Sequence, residues 1–133
     1  MNPARWPTRL LSMSLVVFGS FLSMTQPLRA EEFPSHAIRM LVPFSVGGAA
    51  DIVARLLARE MSTTLGQPVV VENRPGASGN IALDAAARSA PDGYTIVLGS
   101  ASMAINPTLI KATPYDSQKD FTPISLVAMV PSV

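Results

Sequence analysis

Three short apolar runs, each closed within a few residues by proline or glycine, alternate in this chain with stretches of helical periodicity, and this alternation is what most restricts the fold. Ile38 to Val42 (IRMLV) ends at Pro43; it is too brief for a helix and suits a buried strand. From Ala49 to Leu65 the apolar residues Ile52, Val53, Leu56, Leu57, Met61 and Leu65 recur at steps of three and four, with Gly66 as a stop signal, which predicts a helix. Val69-Val70-Val71 is a β-branched triplet running into Glu72-Asn73-Arg74-Pro75-Gly76, a strand followed by a loop. An alanine-rich helix is predicted from about Asn80 to Ser89. Pro91-Asp92-Gly93 then turns the chain, because proline presets φ and glycine accepts positive φ, and launches Tyr94 to Leu98 as a third strand.

Beyond that strand, Gly99-Ser100-Ala101-Ser102 reads as a small-residue loop. Asn106-Pro107 reads as an N-cap with proline at the first helical position, opening a short helix to about Lys111. Ile124 to Val130 is a last strand candidate. Strand, helix, strand, helix, strand with short links implies an α/β fold with a parallel sheet and right-handed crossovers. Ligands in such sheets bind beyond the carboxyl ends of the strands. The informative segments are therefore Ser45 to Ala50, Asn73 to Asn80, and Gly99 to Ser102.

The first thirty residues stand apart from this pattern. Arg5 and Arg9 precede Leu10 to Met24, an uncharged apolar run of 15 residues, shorter than the roughly 20 needed to span a bilayer. Thr25, Gln26, Pro27 and Leu28-Arg29-Ala30 follow, a basic, apolar, polar order that reads as a secretory signal over residues 1–30 with cleavage after Ala30. The expected location is thus periplasmic. The whole chain carries a formal charge of +1, and removing that segment leaves seven basic against nine acidic residues. Neither balance supplies a basic face for nucleic acid, so no nucleic-acid partner is expected.

The loops narrow the chemistry further. Phe44-Ser45-Val46-Gly47-Gly48-Ala49-Ala50-Asp51 joins a strand to a helix, so free backbone N–H groups and the positive end of the helix dipole converge where an anion fits. It has neither the lysine of a P-loop nor the GxGxxG spacing, which disfavours a nucleotide phosphate, and a carboxylate would suit such a site. The competing reading is that the glycines only permit a tight turn. Asp51, in the first helical turn, is favoured there by the dipole whether or not it meets a ligand. Glu72 and Arg74 either touch a ligand or pair with each other, and pairing is the commoner outcome. Ser45, Ser100 and Ser102 lack a G-x-S-x-G turn, and the sole histidine, His36, precedes the first strand and reads as a surface residue, so no serine hydrolase is indicated. With no cysteine, one histidine and scattered acids, no metal or cofactor is expected.

At this point the residues resemble a family. Val42-Pro43-Phe44-x-x-Gly47-Gly48-x-x-Asp51, then Leu65-Gly66-Gln67-Pro68-Val69-Val70-Val71-Glu72-Asn73-Arg74-Pro75-Gly76-Ala77-x-Gly79-Asn80-Ile81, then Ala90-Pro91-Asp92-Gly93-Tyr94-Thr95 are similar to the solute receptors of tripartite tricarboxylate transporters, the Bug or TctC-type proteins. Ala104-Ile105-Asn106-Pro107, Tyr115-Asp116 and Asp120-Phe121-x-Pro123-Ile124 fit in order and spacing, so the resemblance covers essentially all of residues 31–133. Ala49 and Ser78 depart from it, standing where glycine is common in the family.

The resemblance implies a parallel α/β sheet of the periplasmic-binding-protein type II kind, and an extracytoplasmic receptor whose two domains close on a small organic carboxylate for delivery to a membrane permease. It implies binding and not catalysis. Carried over residue by residue, it points to Ser45, Val46, Gly47, Gly48 and Asp51 as ligand-binding, with Asn73, Ser100, Ala101 and Asn106 lining the same cleft. Receptors of this kind continue through a second domain, so residues 31–133 are expected to be the N-terminal portion, the first part of domain 1 only, with the second domain missing. The alternative is an α/β enzyme fragment acting on an acidic metabolite, which would require an activated nucleophile or a perturbed acid/base pair.

Overall fold

The computed structural model describes residues 32–129. The chain forms β1 (Ile38–Val42), α1 (Ala49–Leu65), β2 (Val69–Asn73), a 3₁₀ turn (Ala77–Gly79), α2 (Asn80–Ala87), β3 (Thr95–Val97) and α3 (Ala101–Leu109). The three strands make one parallel sheet in the order β2-β1-β3. In register, Ile38 lies opposite Val69, Val42 opposite Asn73, and Met40 opposite Ile96. Both ladders run past the strand ends: the amide of Arg74 donates to Val42 O at 2.8 Å, Leu98 to Leu41 O at 2.9 Å and Arg39 to Tyr94 O at 2.8 Å. The segment Tyr94 to Leu98 thus pairs over its predicted length, although only its centre has regular strand geometry.

β1 is the middle strand and carries the core. Ile38, Met40 and Val42 face α1 and pack with Ala54, Ala58 and Val69. Leu41, on the other face by strand alternation, is fully buried, as are Ala82 and nearly all of Leu83 on α2, which packs against β1 and β3. Each large aliphatic side chain so enclosed contributes about 1.5–3 kcal/mol relative to exposure.

α1 has the predicted bounds but turns a different edge inward. Its buried residues are Asp51, Ala54 and Ala58, with Leu57, Met61 and Leu65 packed beside them, while Ile52 and Leu56 are more than half exposed. Two alanines on the inner line let the helix lie close to the sheet, and the larger apolar residues flank that contact. Gly66 ends the helix in the left-handed conformation at φ 68°, its amide donating to Ser62 O. The Ser62 hydroxyl accepts from the Val69 amide at 2.8 Å and so ties the helix end to the entry of β2.

Two sequence expectations are corrected. Asn106 is not an N-cap: α3 begins five residues earlier, capped in position by Ser100, and Pro107 lies inside it. The run Ala101-Ser102-Met103-Ala104 continues the helix backwards, and the Asn106 side chain is taken by tertiary partners instead of its own backbone. Ile124 to Met129 is no strand; Ile124, Leu126 and Met129 are each more than three-quarters exposed. A strand needs a neighbour for its backbone groups, and no strand among the described residues pairs with this segment. Val130 and the expected signal over residues 1–30 lie outside the described residues. His36 is at the surface, stacked on Tyr94 with ring centroids 3.6 Å apart.

Candidate functional site

Because all three strands run parallel, the loops that follow them emerge at one edge of the sheet, and each leads into a helical turn or helix. Gly79 shows how closely they meet: a methyl group there would stand 3.2 Å from Pro43 Cβ of the first loop and 3.5 Å from Ser102 Oγ in the first turn of α3. The first residues of α1, α2 and α3 follow Gly48, Gly79 and Ser100, and none of these three caps its helix with a side-chain hydrogen bond. A helix start leaves backbone N–H groups without intrahelical acceptors and carries a partial positive charge. Three helix starts lie along this edge, although that of α2 is buried and its first amide, Asn80's, already donates to Ala77 O of the preceding 3₁₀ turn.

In the first loop Phe44 to Ala49 are exposed, with Val46 at 70%. Gly47 takes φ 83°, a conformation that favours glycine. Gly48 is extended, and the first helical bond is donated by Ile52 to Gly48 O at 3.0 Å. Asp51 sits beneath this loop, 2% exposed. Its Oδ2 accepts from the Gly47 amide at 2.9 Å and from Arg55 Nε at 3.0 Å, and its Oδ1 accepts from Asn73 Nδ2 at 2.9 Å. These bonds, Arg55's first, then Gly47's and Asn73's, lower the pKa of its carboxyl from 3.8 to about 2. Asn73 Nδ2 also donates to Phe44 O at 3.0 Å, and its Oδ1 accepts from Arg55 Nη2 at 3.2 Å.

The second loop is left-handed over four successive residues: Gly76, Ala77, Ser78 and Gly79 have φ of 122°, 46°, 56° and 90°. For alanine and serine this conformation is costly and needs outside support. Asn106 Nδ2 supplies it, donating to Ser78 O at 3.0 Å and to Asn80 Oδ1 at 2.7 Å, where the Tyr115 hydroxyl also donates at 3.2 Å. Just before the loop, Glu72 accepts from Arg39 on one oxygen and from Arg74 on the other, and these two guanidiniums, Arg74's first, hold its carboxyl below the usual range. The pairing reading of Glu72 and Arg74 is the one the structure adopts. After β3 the expected loop from Gly99 to Ser102 is shorter, since α3 starts at Ala101, and the hydroxyls of Ser100, before the helix, and Ser102, in its first turn, share a 2.7 Å hydrogen bond.

The site residues read from sequence therefore divide. Ser45, Val46, Gly47 and Gly48 are exposed together on one loop, and Ser100 and Ala101 stand at the start of α3 on the same edge. Asp51 and Asn73 have their side-chain donors and acceptors directed to protein partners, and Asn106 has its Nδ2 so directed. Arg55, Asn80 and Tyr115 escaped the sequence reading. Arg55 lies one helical turn from Asp51 and was legible as an i,i+4 pair. Tyr115 meets Asn80 across 35 residues, which no local pattern announces.

Residues 53–133 match the family model described as the tripartite tricarboxylate transporter family receptor. Protein BugT of Bordetella pertussis is 44% identical over 128 residues, covering 95% of this chain and 39% of its own length. A protein encoded in the tcbD-tcbE intergenic region of a Pseudomonas species is 42% identical, over 84% of this chain and 33% of its own. Among solved structures, the periplasmic binding protein BugD is 46% identical with a TM-score of 0.67, over 69% of this chain and 31% of that one. MatC from Rhodopseudomonas palustris, solved with bound malate, is 43% identical with a TM-score of 0.61, over 71% and 33%. An R. palustris protein solved with adipate is 39% identical with a TM-score of 0.66. The chain spans about two-fifths or less of the length of the relatives it matches. With an α/β parallel sheet of the periplasmic solute-binding kind and a family match over more than half its residues, the chain belongs to the tripartite tricarboxylate transporter receptor family.

Proposed function

We propose that this chain is the N-terminal portion of a periplasmic receptor that binds a small carboxylated organic anion and delivers it to a tripartite tricarboxylate-type permease. The observation that carries the reading is the meeting, at one edge of a parallel sheet, of three helix starts that lack side-chain caps. Neutral backbone donors with a partial positive charge suit a carboxylate. The amides of the exposed residues Ser45 and Val46, with those of the first turn after Gly47 and Gly48, form the central contact, and Ser100 and Ala101 line the same cleft. Two relatives with related folds were solved with dicarboxylates, malate and adipate, in agreement with this chemistry.

The test is calorimetry on a receptor-length chain, made by joining residues 31–133 to the remaining length of a relative. Malate, adipate and their neutral diamides are titrated. Saturable binding of an acid and none of its diamide is the expected result; equal binding of both, or of neither, removes the carboxylate receptor reading. Export over the signal at residues 1–30 is checked separately. N-terminal sequencing of periplasmic protein is expected to start at Glu31, and a product retaining Met1 would count against cleavage.

A further inference from the structure

Asp51 looks at first like a ligand residue, since it stands at the head of α1 below the exposed loop. Its surroundings say otherwise. Both carboxylate oxygens are engaged, by donors from three places: Gly47 in the loop, Asn73 at the end of β2, and Arg55 one turn further along α1. An exposed carboxylate here would repel an anionic guest, whereas this one is 2% exposed and faces a guanidinium. Asn73 closes the circuit. Its two amide hydrogens go to Asp51 and to the carbonyl of Phe44, and its oxygen accepts from Arg55. The loop is thereby gripped at two points, the carbonyl of Phe44 and the amide of Gly47, one on either side of Ser45 and Val46.

We propose that Asp51 and Asn73 are positioning residues that clamp the Phe44 to Gly48 loop from beneath and set its remaining amides for the ligand, without touching the ligand themselves. The inference rests on the receptor reading above. A loop with two adjacent glycines loses much conformational freedom when ordered, and a clamp that orders it before the ligand arrives removes that cost from binding. Turning Gly47 N–H inward also selects which amides remain for the ligand.

The test uses Asp51→Asn, which keeps the shape of the side chain but leaves one acceptor oxygen for three donors. In the ¹⁵N-labelled chain, exchange of the Gly47 amide is expected to accelerate by about tenfold or more, while the amides of Met40 and Leu41 in β1 keep their wild-type rates. Where Asp51→Asn does not fold, Asn73→Ala, which removes two donors and leaves the buried carboxylate in place, gives the same readout. In the receptor-length chain, Kd for malate or adipate is expected to rise about tenfold or more, and the double variant is expected to be no worse than the poorer single one, because both residues act through one loop. Unchanged Gly47 exchange overturns the clamp. A freed loop with unchanged affinity, or additive losses in the double variant, overturns its link to binding. If the wild-type receptor-length chain binds neither acid, the receptor reading fails on its own evidence, while Gly47 exchange still decides the clamp.

Discussion

Gly79 and Pro43 are in direct apposition: a Cβ on Gly79 would meet Pro43 Cβ at 3.2 Å, closer than side chains ordinarily pack. Gly79 also holds φ 90°, so a side chain there is disfavoured on two independent grounds. Through this contact the loop after β2 rests on the loop after β1. Gly79→Ala is therefore expected to destabilise the chain by about 2–4 kcal/mol, from positive φ and crowding together. Gly66→Ala, with φ 68° but open space around it, is expected to lose only about 1 kcal/mol. Urea midpoints of the two variants check this, and equal losses would show that the Pro43 contact is slack.

A second prediction concerns acid. Asp51 has a folded pKa of about 2 against 3.8, lowered first by its hydrogen bond from Arg55, so its folded form binds protons less readily than its unfolded form. Its stabilising contribution is fully present above the unfolded value and is lost as pH falls through the folded one. Between about pH 5 and pH 2 the wild type is expected to lose more stability than Asp51→Asn, which has no proton to take up at this position. Glu72, also lowered, adds to acid sensitivity in both proteins and cancels in the comparison. Urea denaturation across that range provides the measurement, and parallel curves would contradict it.

Gly48 offers a cleaner probe of ligand contact than Gly47. It is extended, with φ −77° and ψ 166°, and an added Cβ would lie at an ordinary 3.5 Å from Ser45 O, so the fold tolerates a side chain. Gly48→Val in the receptor-length chain is expected to place a branched side chain where a carboxylate would approach the helix start. Losing one charge-assisted hydrogen bond corresponds to about 1.5–3 kcal/mol, or roughly 10- to 150-fold in Kd. Calorimetry with malate and adipate, alongside a melting curve for the fold, decides the matter; undiminished affinity would remove Gly48 from the ligand contact.

Asn106 is 4% exposed and donates to both Ser78 O and Asn80 Oδ1. Asn106→Leu withdraws the donor from a left-handed serine and from a buried amide. A loss of about 1–3 kcal/mol is expected, the usual cost of leaving buried polar groups unpaired. Tyr115→Phe removes one of two donors to Asn80 and is expected to cost less. Denaturant titration ranks the pair, and the reverse order would place the weight of the network on Tyr115.

What the sequence determined by itself was local. The bounds of β1 and α1 follow from a proline, a glycine and the three-four spacing between them, all of which act within a few residues of one another. The opening of the glycine loop onto a helix start and the pairing of Glu72 with Arg74, two positions away, were legible for the same reason. The tertiary structure decided the rest. Nothing in the periodicity of α1 says that Ala54 and Ala58 face the sheet while Ile52 and Leu56 do not, since that depends on how closely the helix can approach β1. Asn106 reads as a cap beside Pro107, yet its partners, Ser78 and Asn80, lie 28 and 26 residues earlier. Asp51 reads from the sequence as a helix-start acid or a ligand residue, and its bond from Asn73, 22 residues away, is visible only in the fold. A side chain's own neighbours set its backbone preference, but its distant hydrogen-bond partners are those the fold brings alongside: for Asp51 the end of the neighbouring strand, and for Asn106 the turn and helix start that follow β2.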